Sequence, residues 1–169
     1  MRQRSSKAAG PVSTRVGALD AGLRLLGRRA HARAELRTKL ARRGYAAEEV
    51  DSALQRLTEL GHLDDASFAA GHVRRRQAGR GPLALSRELA MRGVGRAVAE
   101  SAVAGFDTEA QIVSATQLAE RLYGRRGWME YRELLNSIGA KLLRRGFSPS
   151  VVRAACQATW RGAQPDPEA

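Results

Sequence analysis

A chain of 169 residues, 43% hydrophobic but only 5% aromatic, has enough apolar side chain for a core, and that core must be built mainly from Leu, Val and Ala. A formal net charge of +12 and a pI near 11.3 point to a polyanionic partner or a strongly acidic protein surface. The one cysteine, Cys156, excludes an intrachain disulfide and a cysteine-built zinc site, and the apolar runs are too short to span a membrane.

Residues that lose little rotamer freedom in a helix dominate the composition, which predicts an all-α protein. In chain order, residues 1–14 form a basic arm that lacks the apolar stretch of a signal peptide and is expected to be disordered. Apolar spacing then predicts nine helices, at 15–29, 32–43, 47–60, 66–78, 82–92, 95–105, 108–123, 128–145 and 149–161. Leu19, Leu23 and Leu26 mark the core stripe of the first, Phe68, His72 and Val73 that of the fourth, and Ile112, Ala115, Ala119 and Leu122 that of the seventh. The tail, 162–169 (GAQPDPEA), is again expected to be unstructured.

Three of these segments repeat. ELRTKLARRGY, LSRELAMRGV and IGAKLLRRGF superpose on Gly44, Gly93 and Gly146. Leu40, Leu89 and Leu142 stand four residues before the glycine, and Leu36, Leu85 and Ile138 eight before. Apolar residues spaced by four lie on one helix face. A glycine just past such a stripe stops the helix in the left-handed conformation, and the arginine before it (Arg43, Arg92, Arg145) suits the negative helix end. The apolar residue after it (Tyr45, Val94, Phe147) folds back on the last turn, and a new helix begins, most plainly at Ser148-Pro149. With a period of roughly 50 residues, this predicts three tandem three-helix, helix-turn-helix-like repeats at 15–63, 64–106 and 107–161, forming an elongated, curved array. The first repeat lacks side-chain caps at Ala32 and Ala46, where Ser or Thr would be expected, so it should be the less well fastened at its turns.

The stretch GHLDDASFA, 61–69, places His62 beside Asp64 and Asp65 and raises the question of a metal or catalytic site. Adjacent aspartates point in different directions on most backbones, His31 and His72 stand apart in sequence, and no metalloprotease, phosphate-loop or nucleophile-elbow motif is present. Catalytic residues, metal and cofactor are therefore all expected to be absent. The stretch reads instead as a structural joint between the first two repeats. Gly61 stops one helix, Leu63 plugs the core, Asp64 or Asp65 caps the next helix while the other meets its dipole, and Phe68 anchors it.

The arginines carry the binding signal. Only Lys7, Lys39 and Lys141 of the 29 basic residues are lysines, and arginine's planar fork suits phosphate and carboxylate alike. Between Arg74 and Arg96 stand Arg74, Arg75, Arg76, Arg80, Arg87, Arg92 and Arg96 against one acidic residue, Glu88. Solvated faces normally mix both signs, so Arg74, Arg75, Arg76, Arg80 and Arg87 are candidates for contact with phosphates or an acidic protein groove. Arg42, Arg43, Arg144 and Arg145 are further candidates, as are the pairs Arg28-Arg29 and Arg125-Arg126, with helix-dipole pairing the alternative for each. Tyr123, Trp128 and Tyr131 offer either core packing or base stacking.

These residues carry a family resemblance. The run RRAHARAELRTKLARRGY, followed by LGHLDDASFAAGHVRRR, GRGPLALSRELAMRGV and KLLRRGFSPSVV, resembles the RecX family of bacterial recombination regulators over roughly 18–161. Ala32, where the family usually has serine, and Gly95, where an acidic or polar residue is common, depart from its pattern. The resemblance implies a non-catalytic regulator of the RecA recombinase; the lone cysteine fits a reducing cytoplasm, and the lack of an exposed apolar stripe beyond the repeat faces predicts a monomer. It implies binding in the groove of the RecA–single-stranded-DNA filament and inhibition of ATPase and strand exchange. Single-stranded DNA, and duplex DNA second, are the nucleic-acid partners it suggests. The alternative reading of tandem basic helix-turn-helix units is a sequence-tolerant DNA-binding protein that acts without RecA.

Overall fold

The computed structural model describes residues 17–125 and 129–163, and these are helical and strand-free. The arm 1–14, Arg126, Trp128 and most of the tail lie outside them. The helices run α1 (Ala18–Leu26), α2 (Arg33–Arg42), α3 (Ala47–Glu59), α4 (Asp65–Arg76), α5 (Pro82–Met91), α6 (Arg96–Ala104), α7 (Thr108–Tyr123), α8 (Tyr131–Leu134), α9 (Ala140–Arg144) and α10 (Pro149–Gly162). They group as three tandem three-helix units, with α8 and α9 forming the middle helix of the third. No described helix is long and apolar enough to cross a membrane.

The three repeat glycines end their helices as their spacing predicts: Gly44, Gly93 and Gly146 have φ of 82°, 77° and 88°, and Gly61 joins them at 72°. At Gly93, the Gly93 N–H donates to the Ala90 carbonyl and the Val94 N–H to that of Leu89. This closes the helix end with paired backbone bonds, and Gly61 and Gly146 repeat the pattern. The stripes behind the glycines are the core: Leu36, Leu40, Leu85, Leu89, Ile138 and Leu142 are all fully buried.

Two details differ from the sequence expectation. The middle helix of the third unit is interrupted by a π-helical turn, Leu135–Gly139, between α8 and α9. It ends where α10 comes so near that a Cβ on Gly139 would lie 3.3 Å from Val152 and 3.6 Å from Cys156 Sγ. In α1, Leu19, Leu23 and Leu26 only flank the core, and Ala18, Ala21, Gly22 and Leu25 are buried instead. The helix turns this face inward because Gly22 lets Leu57 approach within 2.8 Å of where a Cβ would stand.

Apolar packing divides the molecule unevenly. The first unit has its own core, centred on Leu36, Leu40, Leu54 and Leu57. The second and third share one continuous core that also takes in Ala32 from the start of the first unit's middle helix.

The units join by one repeated device: the start of a middle helix lies on the glycine turn of the next unit. In the first joint, a Cβ on Gly93 would fall 2.4 Å from the Cβ of Ala34. In the second, Gly81 N–H donates to Arg145 O at 2.9 Å and Leu83 N–H to Gly146 O at 3.2 Å. The arginine before each glycine reaches back across the joint. Arg92 Nη1 lies 3.7 Å from Glu35, and Arg145 Nη1 donates to Gly79 O at 3.1 Å.

The missing caps of the first unit are partly supplied from elsewhere in the fold. Asp64 caps its own helix by accepting from Ala66 N–H at 2.8 Å. Asp65 instead turns back to the first unit and accepts from Arg33 N–H, the first donor of α2, at 2.7 Å. Glu49 likewise accepts from Ala18 N–H of α1 at 2.9 Å. At Ala46 the N-cap residue itself makes no side-chain cap hydrogen bond. So the end that Ala32 leaves uncapped locally is capped through tertiary structure.

Three substitutions test these contacts. Gly81→Ala drives a methyl to 2.4 Å from the Gly146 and Phe147 backbone and should lower the midpoint of thermal unfolding by several degrees. Gly162→Ala, which meets nothing within 4 Å, should leave the midpoint unchanged or raise it slightly. Asp65→Ala should cost about 1 kcal/mol in denaturant unfolding, a typical helix-cap loss.

Candidate partner-binding surface

Where α4 and α5 of the second unit meet the first unit, a cleft of about 870 Å³ is lined by Arg29, Ala30, Phe68, His72, Arg75, Arg76, Glu88, Met91 and Arg92. A second cleft of about 480 Å³ lies across the same joint, lined by residues that include Lys39 and Arg42 and sharing Met91 and Arg92 with the first. The surface is basic, but two carboxylates organise it.

Glu88, on α5, collects three partners. His72 Nε2 lies at 2.9 Å, Arg76 Nε at 3.3 Å and Arg80 Nε at 3.2 Å. Glu35, on α2, collects Arg29, His31 at 3.1 Å, Lys39 at 3.8 Å and Arg92 at 3.7 Å. Burial raises the carboxyl pKa of each, but the contacts outweigh it. Arg29 and His31 hold Glu35, and Arg76 and His72 hold Glu88, below the usual carboxylate value. His31 Nδ1 lies 3.1 Å from Glu35 Oε1. Burial holds the His31 imidazole below its ordinary value, against the opposing pull of Glu35.

The candidate arginines thus divide by task. Arg74, Arg75 and Arg87 on the second unit, with Arg42 and Arg144, are exposed and make no hydrogen bond or ion pair among the described residues. Arg76 and Arg80 are held by Glu88, and Arg145 is half-buried across the joint to Gly79. Arg43 is exposed beside its glycine turn. The fold brings Arg75 and Arg76 together in the first cleft and Arg42 into the second, whereas Arg144 and Arg145 belong to the third unit. It also places in the clefts Arg29, Lys39, Met91 and Arg92. Arg29 is a candidate in the sequence as one of the pair Arg28-Arg29, and Arg92 as part of the basic run, but spacing selects neither Lys39 nor Met91, which reach the clefts from α2 and α5. Arg92 also stands over the Phe68 ring, 6.0 Å from its centroid.

In the joint stretch, Gly61 has positive φ, Leu63 and Phe68 are buried, and His62 is exposed. No three His, Cys, Asp or Glu side chains converge in metal-ligand fashion among the described residues. Cys156 is buried, and burial pushes its thiol up to about 11, so it is a neutral core group. Tyr131 packs in tilted contact with Trp160 at 5.7 Å, and Tyr123 packs against the core.

The two glutamates and His31 set a direction for pH. All three have folded-state pKa values below their unfolded ones, so their contributions are complete above the unfolded value and disappear as pH falls through the folded one. Stability should therefore decline on acidification, first below about pH 6.5 through His31 and then below about pH 4.5 through Glu35 and Glu88. Thermal melts across pH 3.5–8 check this, and His31→Gln should flatten only the upper part of the decline.

Family models agree with this architecture. The first three-helix domain of RecX matches residues 18–57, and the second matches residues 64–103. The regulatory protein RecX of Halorhodospira halophila is 40% identical over 140 residues, covering 82% of this chain and 86% of that one. The regulatory protein RecX of Mycobacterium ulcerans is 41% identical over 138 residues, covering 80% of this chain and 78% of that one. The crystal structure of RecX from Lactobacillus salivarius superposes with a TM-score of 0.77 at 25% identity, covering 84% of this chain and 94% of that one. With its three-helix units, its glycine turns and relatives matched over most of their length, the chain belongs to the RecX family of regulatory proteins.

Proposed function

We propose that this chain is a non-catalytic regulator of a RecA recombinase, acting in the cytoplasm. It binds along the RecA–single-stranded-DNA filament as a monomer and mainly inhibits ATPase and strand exchange. The observation that carries this reading is the match to both RecX three-helix domains, in a chain whose tandem units present basic clefts at their joint. The net charge of +12 supports a polyanionic target. Tandem units suit a target that is itself a repeating polymer. Inhibition then comes from occlusion and bridging, with no ATP site needed on this chain. The exposed Arg74, Arg75 and Arg87 are the first contacts proposed, followed by Arg42 and Arg144, while Arg76 and Arg80 act from their places on Glu88. Arg43 and Arg145 are proposed as secondary contacts.

The test measures ATP hydrolysis and strand exchange by RecA with added protein, beside binding to single-stranded DNA with and without RecA and ATP across salt. Inhibition at or below equimolar protein, with tighter binding when RecA is present, is the expected result. Tight binding to naked DNA with a steep salt slope and no effect on RecA would favour the RecA-independent helix-turn-helix reading. Reversing the charge of Arg74, Arg75 and Arg76 together should weaken inhibition about tenfold at low salt and less at high salt.

A further inference from the structure

The larger cleft at the first joint contains one wall residue that its charge does not explain. Met91, at the end of α5, is 79% exposed, the most of any large apolar side chain among the described residues. It stands where the two clefts meet, beside Arg92 and near Arg75 and Arg29. A phosphate backbone is recognised by cations and N–H donors, and a thioether standing in water adds nothing to that. Unpaired bases are recognised by stacking on aromatic faces. The rings at this cleft, Phe68 and His72, are each 6% exposed, and Phe68 lies under Arg92. Protein interfaces use what is present here: methionine and arginine are enriched in them, lysine is depleted, and all four cations of the larger cleft are arginines.

We infer that this cleft docks an acidic protein surface and not the nucleic acid. The partner presents an apolar side chain to Met91 and carboxylates to Arg75 and Arg92. The inference rests on the filament reading above and assigns this cleft to the protein component of the filament. Arg75 supplies an unpaired guanidinium for a two-pronged carboxylate contact. Arg92 supplies the donors that its long contact with Glu35 leaves available. Nucleic acid is then left to basic residues outside the cleft, such as Arg74 and Arg87.

The experiment titrates the full-length wild-type, Met91→Ala and Arg75→Ala proteins onto RecA filaments assembled on single-stranded DNA with a non-hydrolysable ATP analogue. The same proteins are titrated onto the naked oligonucleotide at the same salt. Met91 is solvent-exposed, so its truncation leaves the fold intact. Met91→Ala should weaken filament binding about tenfold and leave naked-DNA binding unchanged. Arg75→Ala should weaken filament binding more than DNA binding. Unaltered filament binding by Met91→Ala, or equal losses on filament and naked DNA, would overturn the inference while leaving the filament reading standing. A wild-type protein that fails to bind filaments overturns that reading, and this inference with it.

Discussion

The first turn of each middle helix rests on the glycine turn of the following unit, and the remaining architecture depends on that contact. A left-handed glycine ends its helix and has no Cβ, so another backbone can come against it. At the second joint the approach is close enough for direct backbone hydrogen bonds from Gly81 and Leu83 to the Arg145–Gly146 turn. At the first joint Ala34 fills the same space against Gly93. Units of roughly fifty residues have little core of their own, and this contact joins them at low steric cost. The second joint fuses two units into one continuous core, whereas the first leaves the opening unit with a separate core and a largely polar seam. Both clefts form along that seam.

A protein this basic must also manage the repulsion among its own arginines. Glu35 and Glu88 do so from partly buried positions on adjacent middle helices, each surrounded by three or four cationic or imidazole groups. Pairing at such sites positions side chains more than it adds stability. It decides which arginines are held in place and which face solvent unpaired. Glu88, which stands out in the sequence as a lone acid among seven arginines, is in the fold the group around which Arg76, Arg80 and His72 are arranged.

The fold was largely legible in the sequence because its signals are local. Leucines spaced by four, a glycine at each helix end, Ser148 before Pro149 and an aspartate before Ala66 each act within about one turn of helix. The π turn after Leu134 and the rotated face of α1 were not legible, because each answers to a neighbour far away in sequence: α10 for Gly139, Leu57 for Gly22. Asp65 shows the same limit. Sequence reading assigns it to its own helix, as cap or at the dipole, but its oxygen caps a helix of another unit. The arginines of the 92–93 and 145–146 turns read as helix-end charges, and the assembled joints give them a second task across the seam.

The sequence by itself determined that the chain is helical, that it repeats three times, where each helix stops, that its charge calls for an acidic or polyanionic partner, and which family it resembles. Helicity, repetition, helix ends and charge follow from periodicity, glycine conformation and composition, and the resemblance rests on its motif stretches; none of these requires knowing what lies next to what. The tertiary structure alone decided which arginines are already paired, that Arg29, Met91 and Arg92 line one cleft with Arg75 while Lys39 lines the next, and that Asp65 serves the unit before its own. Those depend on the angle at which one unit rests on the next, and that angle is set by contacts between residues 32 to 66 positions apart.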